Sequence, residues 1–435
     1  MTKWTEEQQQ AIESRNSNLL VAAAAGSGKT AVLVERIIRM ICADGLNIEN
    51  LLIVTFTNAA AGEMRERITA AIVKQLESNP DNPEHLRRQL QMVGRSSICT
   101  IHAFCTGIVR ENFHLLDINP KFRIGDTTEC SILRRETVEE VMEAAYASGD
   151  ENFLDLVERF AGTRNDKAIE NLILRTYTFI QSQPEPFTWL EEKVNYLARP
   201  ADELAQSTWA AILSQDMQAK ISEARELFAK AAAVIDHEPA LEGYRPALED
   251  DLLLTSQLDS RLQAGLHCLA QHLQTVNFTR LGRAARDCDP HWQENVKILR
   301  DEGKNIIKDM QKLTLGKSIH EYADELGQLH LSMRALLQLT VDFARRYREK
   351  KADKNILDFN DLEHFALQVL SDPQSARTYR HKYHYIFVDE YQDSNLVQES
   401  LLNFIKGERN LFMVGDVKQS IYRFRLADPT LFISK

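Results

Sequence analysis

The chain has 435 residues, of which 44% are hydrophobic and 26% charged, and a formal net charge of −11. Those proportions describe a globular protein with more than one core, and they exclude a disordered or collagen-like chain. No apolar run is long enough to span a bilayer, and Met1-Thr2-Lys3-Trp4 does not open a signal peptide. The acidic balance argues against a protein that coats nucleic acid through a uniformly basic surface, but it permits a channel lined by local basic residues. Six cysteines (Cys42, Cys99, Cys105, Cys130, Cys268, Cys288) lie scattered without CxxC spacing. Reduced thiols in a cytoplasmic protein are expected, with neither a zinc site nor a disulfide framework.

The first strand is expected over 19–24, with helical spacing from Ala31 onward. Between them stands Ala23-Ala24-Ala25-Gly26-Ser27-Gly28-Lys29-Thr30. A strand, a Gly-rich turn and a helix make a phosphate cradle, because backbone N–H groups and the positive helix end converge on an anion. Lys29 adds a point charge for the outer phosphates, and the Thr30 hydroxyl suits Mg²⁺. The strict pattern wants Gly where this chain has Ala23. The second strand, 51–55, leads into Thr55-Phe56-Thr57-Asn58, whose small polar groups and ring suit a phosphate backbone and a stacked base. The third, 97–101, leads into Thr100-Ile101-His102-Ala103-Phe104, where His102 and Phe104 are expected to line the same groove.

From about 126 to 345 strand signals fade and helical periodicity dominates, with breaks near Pro184–Pro186 and Pro239. The run Arg345-Arg346-Tyr347-Arg348-Glu349-Lys350-Lys351 reads either as a nucleic-acid patch or as a solvated helix face. After 346 the α/β texture returns, with buried strands at Tyr385–Val388 and Leu411–Val414. Asp389-Glu390-Tyr391-Gln392-Asp393 follows the first of them. Asp389 is placed to hold Mg²⁺ opposite Thr30, and Glu390 to polarise a water. After the second come Gln419, placed to sense a γ-phosphate, and Tyr422-Arg423-Phe424-Arg425. In that last run, rings for bases alternate with cations for phosphates.

These motifs, in this order, resemble superfamily 1 helicases of the UvrD/Rep type. Trp4-Thr5-Glu6-Glu7-Gln8 is similar to their Q motif, in which the glutamine, here Gln8, reads adenine. Ala23–Thr30, Thr55–Arg65, Thr100–Phe104, Leu357–Leu362, Asp389–Asp393 and Gly415–Arg425 resemble the motifs that follow. Thr55–Met64, Asp389–Asn395, Lys418–Pro429 and the helical segment with Thr163-Arg164-Asn165-Asp166-Lys167 are similar to the AddA-type branch of helicase–nucleases.

The resemblance implies a P-loop, RecA-like parallel-sheet domain in two parts, 1–125 and 346–435, with an all-helical insertion over 126–345. It implies ATP and Mg²⁺ as cofactors, bound by Gln8, Ala23–Thr30 and Asp389, with Lys29, Asp389, Glu390 and Gln419 as the hydrolytic set. DNA, single-stranded and duplex, would meet Thr55, Phe56, Asn58, His102, Phe104, Tyr422, Phe424 and Arg425. Translocation 3′ to 5′, a role in double-strand-break repair and a heterodimer with a B-type helicase–nuclease partner are implied likewise. Ala31 and Ala59 depart from the UvrD/Rep pattern, replacing an arginine that packs on the base and a lysine that meets phosphate. The sequence stops ten residues after Arg425. The second RecA-like domain and the nuclease are therefore expected outside it, this being the N-terminal part of a longer enzyme. A non-catalytic DNA- or partner-binding module, or a fragment of a stand-alone UvrD-like helicase, stays open as an alternative. Another P-loop ATPase would need an LSGGQ-like signature, which the sequence lacks.

Overall fold

The computed structural model describes residues 4–24, 26–78, 82–161, 166–314, 316–420 and 426–435. The chain divides into two compact units, one formed by Met1–Leu190 with Leu336–Lys435 and the other by Glu191–Ala335. The first is α/β, built on a parallel sheet of five strands. These are β1 (Leu19–Ala22), β2 (Leu51–Thr55), β3 (Ser97–Thr100), β6 (Tyr385–Val388) and β7 (Leu411–Gly415), in the order β1-β7-β6-β2-β3. A second, parallel pair joins β4 (Arg123–Ile124) to β5 (Ile356–Leu357), in the register Arg123↔Ile356. This pair joins the two stretches of chain that make up the unit.

The sheet is covered on both faces, which is why β2 and β7 read as continuous apolar runs and every residue in them is buried. The period-2 alternation of a strand divides their side chains between two cores. Leu52, Val54, Ile386, Val388, Leu411 and Met413 pack with residues of the helices Ile101–Glu111, Phe359–Ser371 and Leu396–Ile405. Leu51, Ile53, Ile98, Phe387, Phe412 and Val414 pack on the opposite face with the helices Lys29–Cys42 and Asn58–Glu77. The strands run parallel with Ala22 beside Gly415, Val54 beside Val388 and Thr55 beside Thr100. All their C-terminal ends thus open on one edge, where α/β sheets take ligands.

Two strands end earlier than the sequence suggests. The first stops at Ala22, and the third stops at Thr100, whose hydroxyl accepts from the Ala103 N–H and starts a helix at Ile101. The second unit is helical. Thr208–His237, Arg245–Ala264, Leu266–Gln274 and Pro290–Thr314 pack around Ile221, Phe228, Leu258, Leu269 and Ile307. A buried ion pair lies within it, Arg300 Nε to Asp251 Oδ2 at 2.5 Å, and Arg300 also donates to the Thr279 carbonyl.

Candidate active site

The turn after β1 is shaped by positive φ at Gly26 (74°) and Gly28 (81°), a backbone that only glycine adopts without strain. Gly28 leads directly into the helix Lys29–Cys42, so its free N–H groups face the sheet edge. Thr5 and Gln8 form a capping box at the start of the helix Glu6–Glu13. Within it Gln8 Oε1 accepts from the Thr5 N–H at 3.0 Å, while its Nε2 donates to the Ser27 carbonyl at 2.9 Å. One carboxamide thereby pins the N-terminal helix to the Gly-rich turn. Lys29 Nζ and Ser27 Oγ are buried and have no hydrogen-bond partner among the described residues. Ala23 donates its N–H to the Gly415 carbonyl, and Thr30 occupies the first turn of the helix. Ala25 lies outside the described residues.

Beside this turn, at the end of β6, stand Asp389 and Glu390. The Asp389 N–H bonds the Val54 carbonyl and extends the pairing with β2. Burial and the neighbouring Glu390 charge push the Asp389 carboxyl up to about 6, against opposing pulls from the Glu390 N–H, Lys29 and Arg67. Glu390 sits in the left-handed region at φ 56°, a strained conformation for a residue with a Cβ. The strain is held in place by Gln392, only 1% exposed. Gln392 Nε2 donates to the Glu390 carboxylate at 2.7 Å, and its Oε1 accepts the Asp416 N–H at 2.9 Å. One buried amide therefore ties the end of β6 to the end of β7. At β7, the Gln419 amide donates to Asp416, which is held below the ordinary carboxylate range by that bond, by the Lys418 N–H and by the charges of Lys29 and Lys418.

A cavity of about 510 Å³ opens on the same edge, lined among others by Thr55, Phe56, His102, Phe359, Asn360, Glu363, Asp389 and Glu390. Thr55 is buried and donates to the Thr57 carbonyl. His102 Nε2 lies 3.2 Å from Glu363 Oε1, and its ring meets Phe359 at a centroid distance of 4.7 Å. Asn58 is exposed at the start of its helix. Phe104 corrects the sequence reading: it is 6% exposed and packs edge-on against Tyr379 and Tyr383 in the core, away from the groove. Tyr422, Arg423, Phe424 and Arg425 lie outside the described residues, as do Thr163, Arg164 and Asn165. Sequence reading missed Phe359, Asn360, Glu363 and Gln392. The signal for the first was an aromatic at the first helical position after the capping Asp358, where no core contact is needed and where the ring is half exposed.

The chain is similar along its whole length to curated proteins of several bacteria. A protein of Syntrophomonas wolfei, named as the A subunit of an ATP-dependent helicase/nuclease, is 52% identical over all 435 residues, which cover 35% of that relative. Proteins of the same name are 51% identical in Alkaliphilus oremlandii and 42% identical in Clostridium perfringens, this chain covering 36% of each. The chain thus spans about a third of the length of these relatives. The family model described as UvrD/REP helicase N-terminal domain matches residues 4–435, and the chain belongs to that family.

Proposed function

We infer that this chain is the ATP-binding part of a DNA helicase motor, the N-terminal portion of an AddA-type helicase–nuclease. The observation that carries the reading is Lys29, a buried ammonium with no partner among the described residues, at the mouth of a Gly-rich turn whose N–H groups open on the Asp389–Glu390 edge. A buried ammonium with no hydrogen-bond acceptor is costly even with the Asp389 and Asp416 charges near it, and a bound polyphosphate supplies the missing acceptors. Adenine is assigned to Gln8, which already reaches the turn. The phosphates are assigned to Ala23–Thr30, and the γ-phosphate to Gln419.

Thr30 and Asp389 would hold Mg²⁺, two oxygen donors on one edge being the number this ion takes from a protein when substrate phosphates complete its shell. Bound there, the ion offsets charge on the outer phosphates. Glu390 orients the attacking water and takes its proton. The cavity beside Asp389, with Thr55, Phe56, His102 and Phe359, is assigned to single-stranded DNA, and Asn58, Tyr422, Phe424 and Arg425 are assigned to the same ligand. Gln392 spans both halves and links phosphate occupancy to the DNA track.

The RecA-like character of the core, the insertion of a helical domain between its two parts, 3′-to-5′ movement, a B-type partner chain and a cytoplasmic role in double-strand-break repair belong to the same reading. The relatives' name, which makes them the A subunit of a helicase/nuclease, supports a partner chain, and their greater length supports further domains. None of the described helices is long and apolar enough to cross a membrane. The nuclease is assigned to sequence beyond these residues.

Lys29→Ala tests the reading. ATP affinity is expected to fall about tenfold to a hundredfold, the loss of a charge-assisted contact. Single-strand affinity measured without nucleotide stays within about twofold, since Lys29 lies outside the groove. Unchanged binding of a labelled ATP would overturn the phosphate assignment.

A further inference from the structure

The run Arg345–Lys351 is only partly a solvated face: Arg345, Arg348 and Glu349 are exposed, whereas Tyr347 and Lys351 are buried. Tyr347 and Lys351, one helical turn apart, both point inward, and Lys351 is 2% exposed. Its Nζ lies 3.1 Å from Asp358 Oδ2 and 2.5 Å from Asp361 Oδ2, and 4.3 Å from the centre of the Tyr347 ring. Tyr347 also donates to Asp358 at 3.1 Å, and Arg134 approaches the same carboxylate at 3.5 Å. The two carboxylates are themselves the capping box of the helix Phe359–Ser371. Asp358 accepts from the Asp361 N–H, and Asp361 accepts from the Asp358 N–H. The first turn of that helix carries Phe359, Asn360 and Glu363, which face the cavity.

We propose that Lys351 is a positioning residue for the single-strand groove. Its buried ammonium, set between two like-charged caps, fixes the turn that presents Phe359, Asn360 and Glu363. Without the ammonium, two carboxylates face each other in a dry site, where repulsion opens the capping box. This inference rests on the assignment of the cavity to DNA.

The charge balance supplies a signature that packing alone does not. Burial and the Asp358 charge hold Asp361 up at about 6. Asp358 is kept below its ordinary range by Lys351, the Asp361 N–H and Arg134 acting against burial. The other titratable or charged groups around the pair are Cys130 and Arg134 on one helix, Tyr177 on a second, Tyr347 on the helix of Lys351, and His364. Lowering the pH returns a proton to the pair and relieves the repulsion that loss of Lys351 creates.

The experiment is anisotropy of a labelled oligothymidylate with the 435-residue chain. Lys351→Met is expected to bind about tenfold more weakly than wild type near pH 8, the scale of a lost helix cap, and to recover to within about twofold near pH 5.5. Lys351→Met combined with Asp361→Asn restores the charge balance and is expected to stay within about threefold of wild type at both pH values. If Lys351→Met does not fold, the double variant decides, and a loss beyond about tenfold in it overturns the proposal. A wild-type-like Lys351→Met, or a deficit that does not change with pH, overturns the proposal while leaving the groove in place. Failure of the wild-type chain to bind the oligonucleotide overturns the groove assignment itself.

Discussion

Glu390→Gln is expected to lower ATP turnover of the full-length enzyme about 10²- to 10⁴-fold, the contribution of a positioned general base. Mg·ATP affinity is expected to stay within about threefold, because the exchange is isosteric and leaves the phosphate contacts alone. The geometry favours a clean result. The Gln392 amide that donates to the Glu390 carboxylate at 2.7 Å finds an acceptor oxygen on a glutamine as well. The left-handed backbone at residue 390 is therefore still held by the same latch. What disappears is the group that accepts the proton of water. Removal of the Glu390 charge also takes away one of the two causes that raise the Asp389 carboxyl, so Asp389 ionises more readily and cation binding does not suffer. Phosphate release in a coupled assay, beside a separate ATP titration, separates the two effects. Turnover within tenfold of wild type would assign the water to another residue.

Gly415→Ala carries the second large effect. A Cβ there comes within 2.7 Å of Phe432 Cε2 and closer still to Gln392 Oε1, both far inside van der Waals contact. Elsewhere the end of a glutamine side chain swings aside at small cost. Here it is 1% exposed, and its two polar atoms hold Glu390 and the Asp416 N–H. The methyl therefore either overpacks the site or expels the amide and leaves its partners unsatisfied. A loss of about 1–3 kcal/mol in stability by denaturant titration is expected, with a fall in turnover. The mechanism predicts coupling. In a Gln392→Ala background the added methyl enters space already vacated, and its cost drops by about 1 kcal/mol or more. Additive costs would mean that the clash with Phe432, and not the latch, carries the damage.

The sheet edge was legible because its central strands are buried on both faces and end in residues of distinctive chemistry. The Gly-rich turn and the Asp389–Glu390 pair needed no three-dimensional information, whereas the contact of Gln8 with the turn did. Phe104 was misplaced for a local reason. Residues 102 and 104 share a face on a strand, but on a helix they stand about 200° apart. Thr100 starts the helix one residue before that difference matters, so His102 faces the cavity and Phe104 the core. The Lys351–Asp358–Asp361 cluster was hidden because a run of like charges looks solvated in sequence. Only the helix Ile319–Asp353 shows that two of its seven members turn inward onto acids at the next helix start. The role of Gln392 was hidden because its partner at β7 lies 24 residues away and gives no sequence signal.

In the proposed reading, the Glu390–Gln392–Asp416 bridge joins the nucleotide site to the DNA track. By linkage, whatever the γ-phosphate changes at Gln419 must emerge as a change in single-strand affinity. The direct test is the affinity of the chain for a labelled oligothymidylate at saturating ADP and at a saturating non-hydrolysable ATP analogue, both with Mg²⁺. The bridge predicts that the two affinities differ by at least about threefold, and that Gln392→Ala brings them together. Equal affinities in the wild-type chain, with both nucleotides bound, would contradict it.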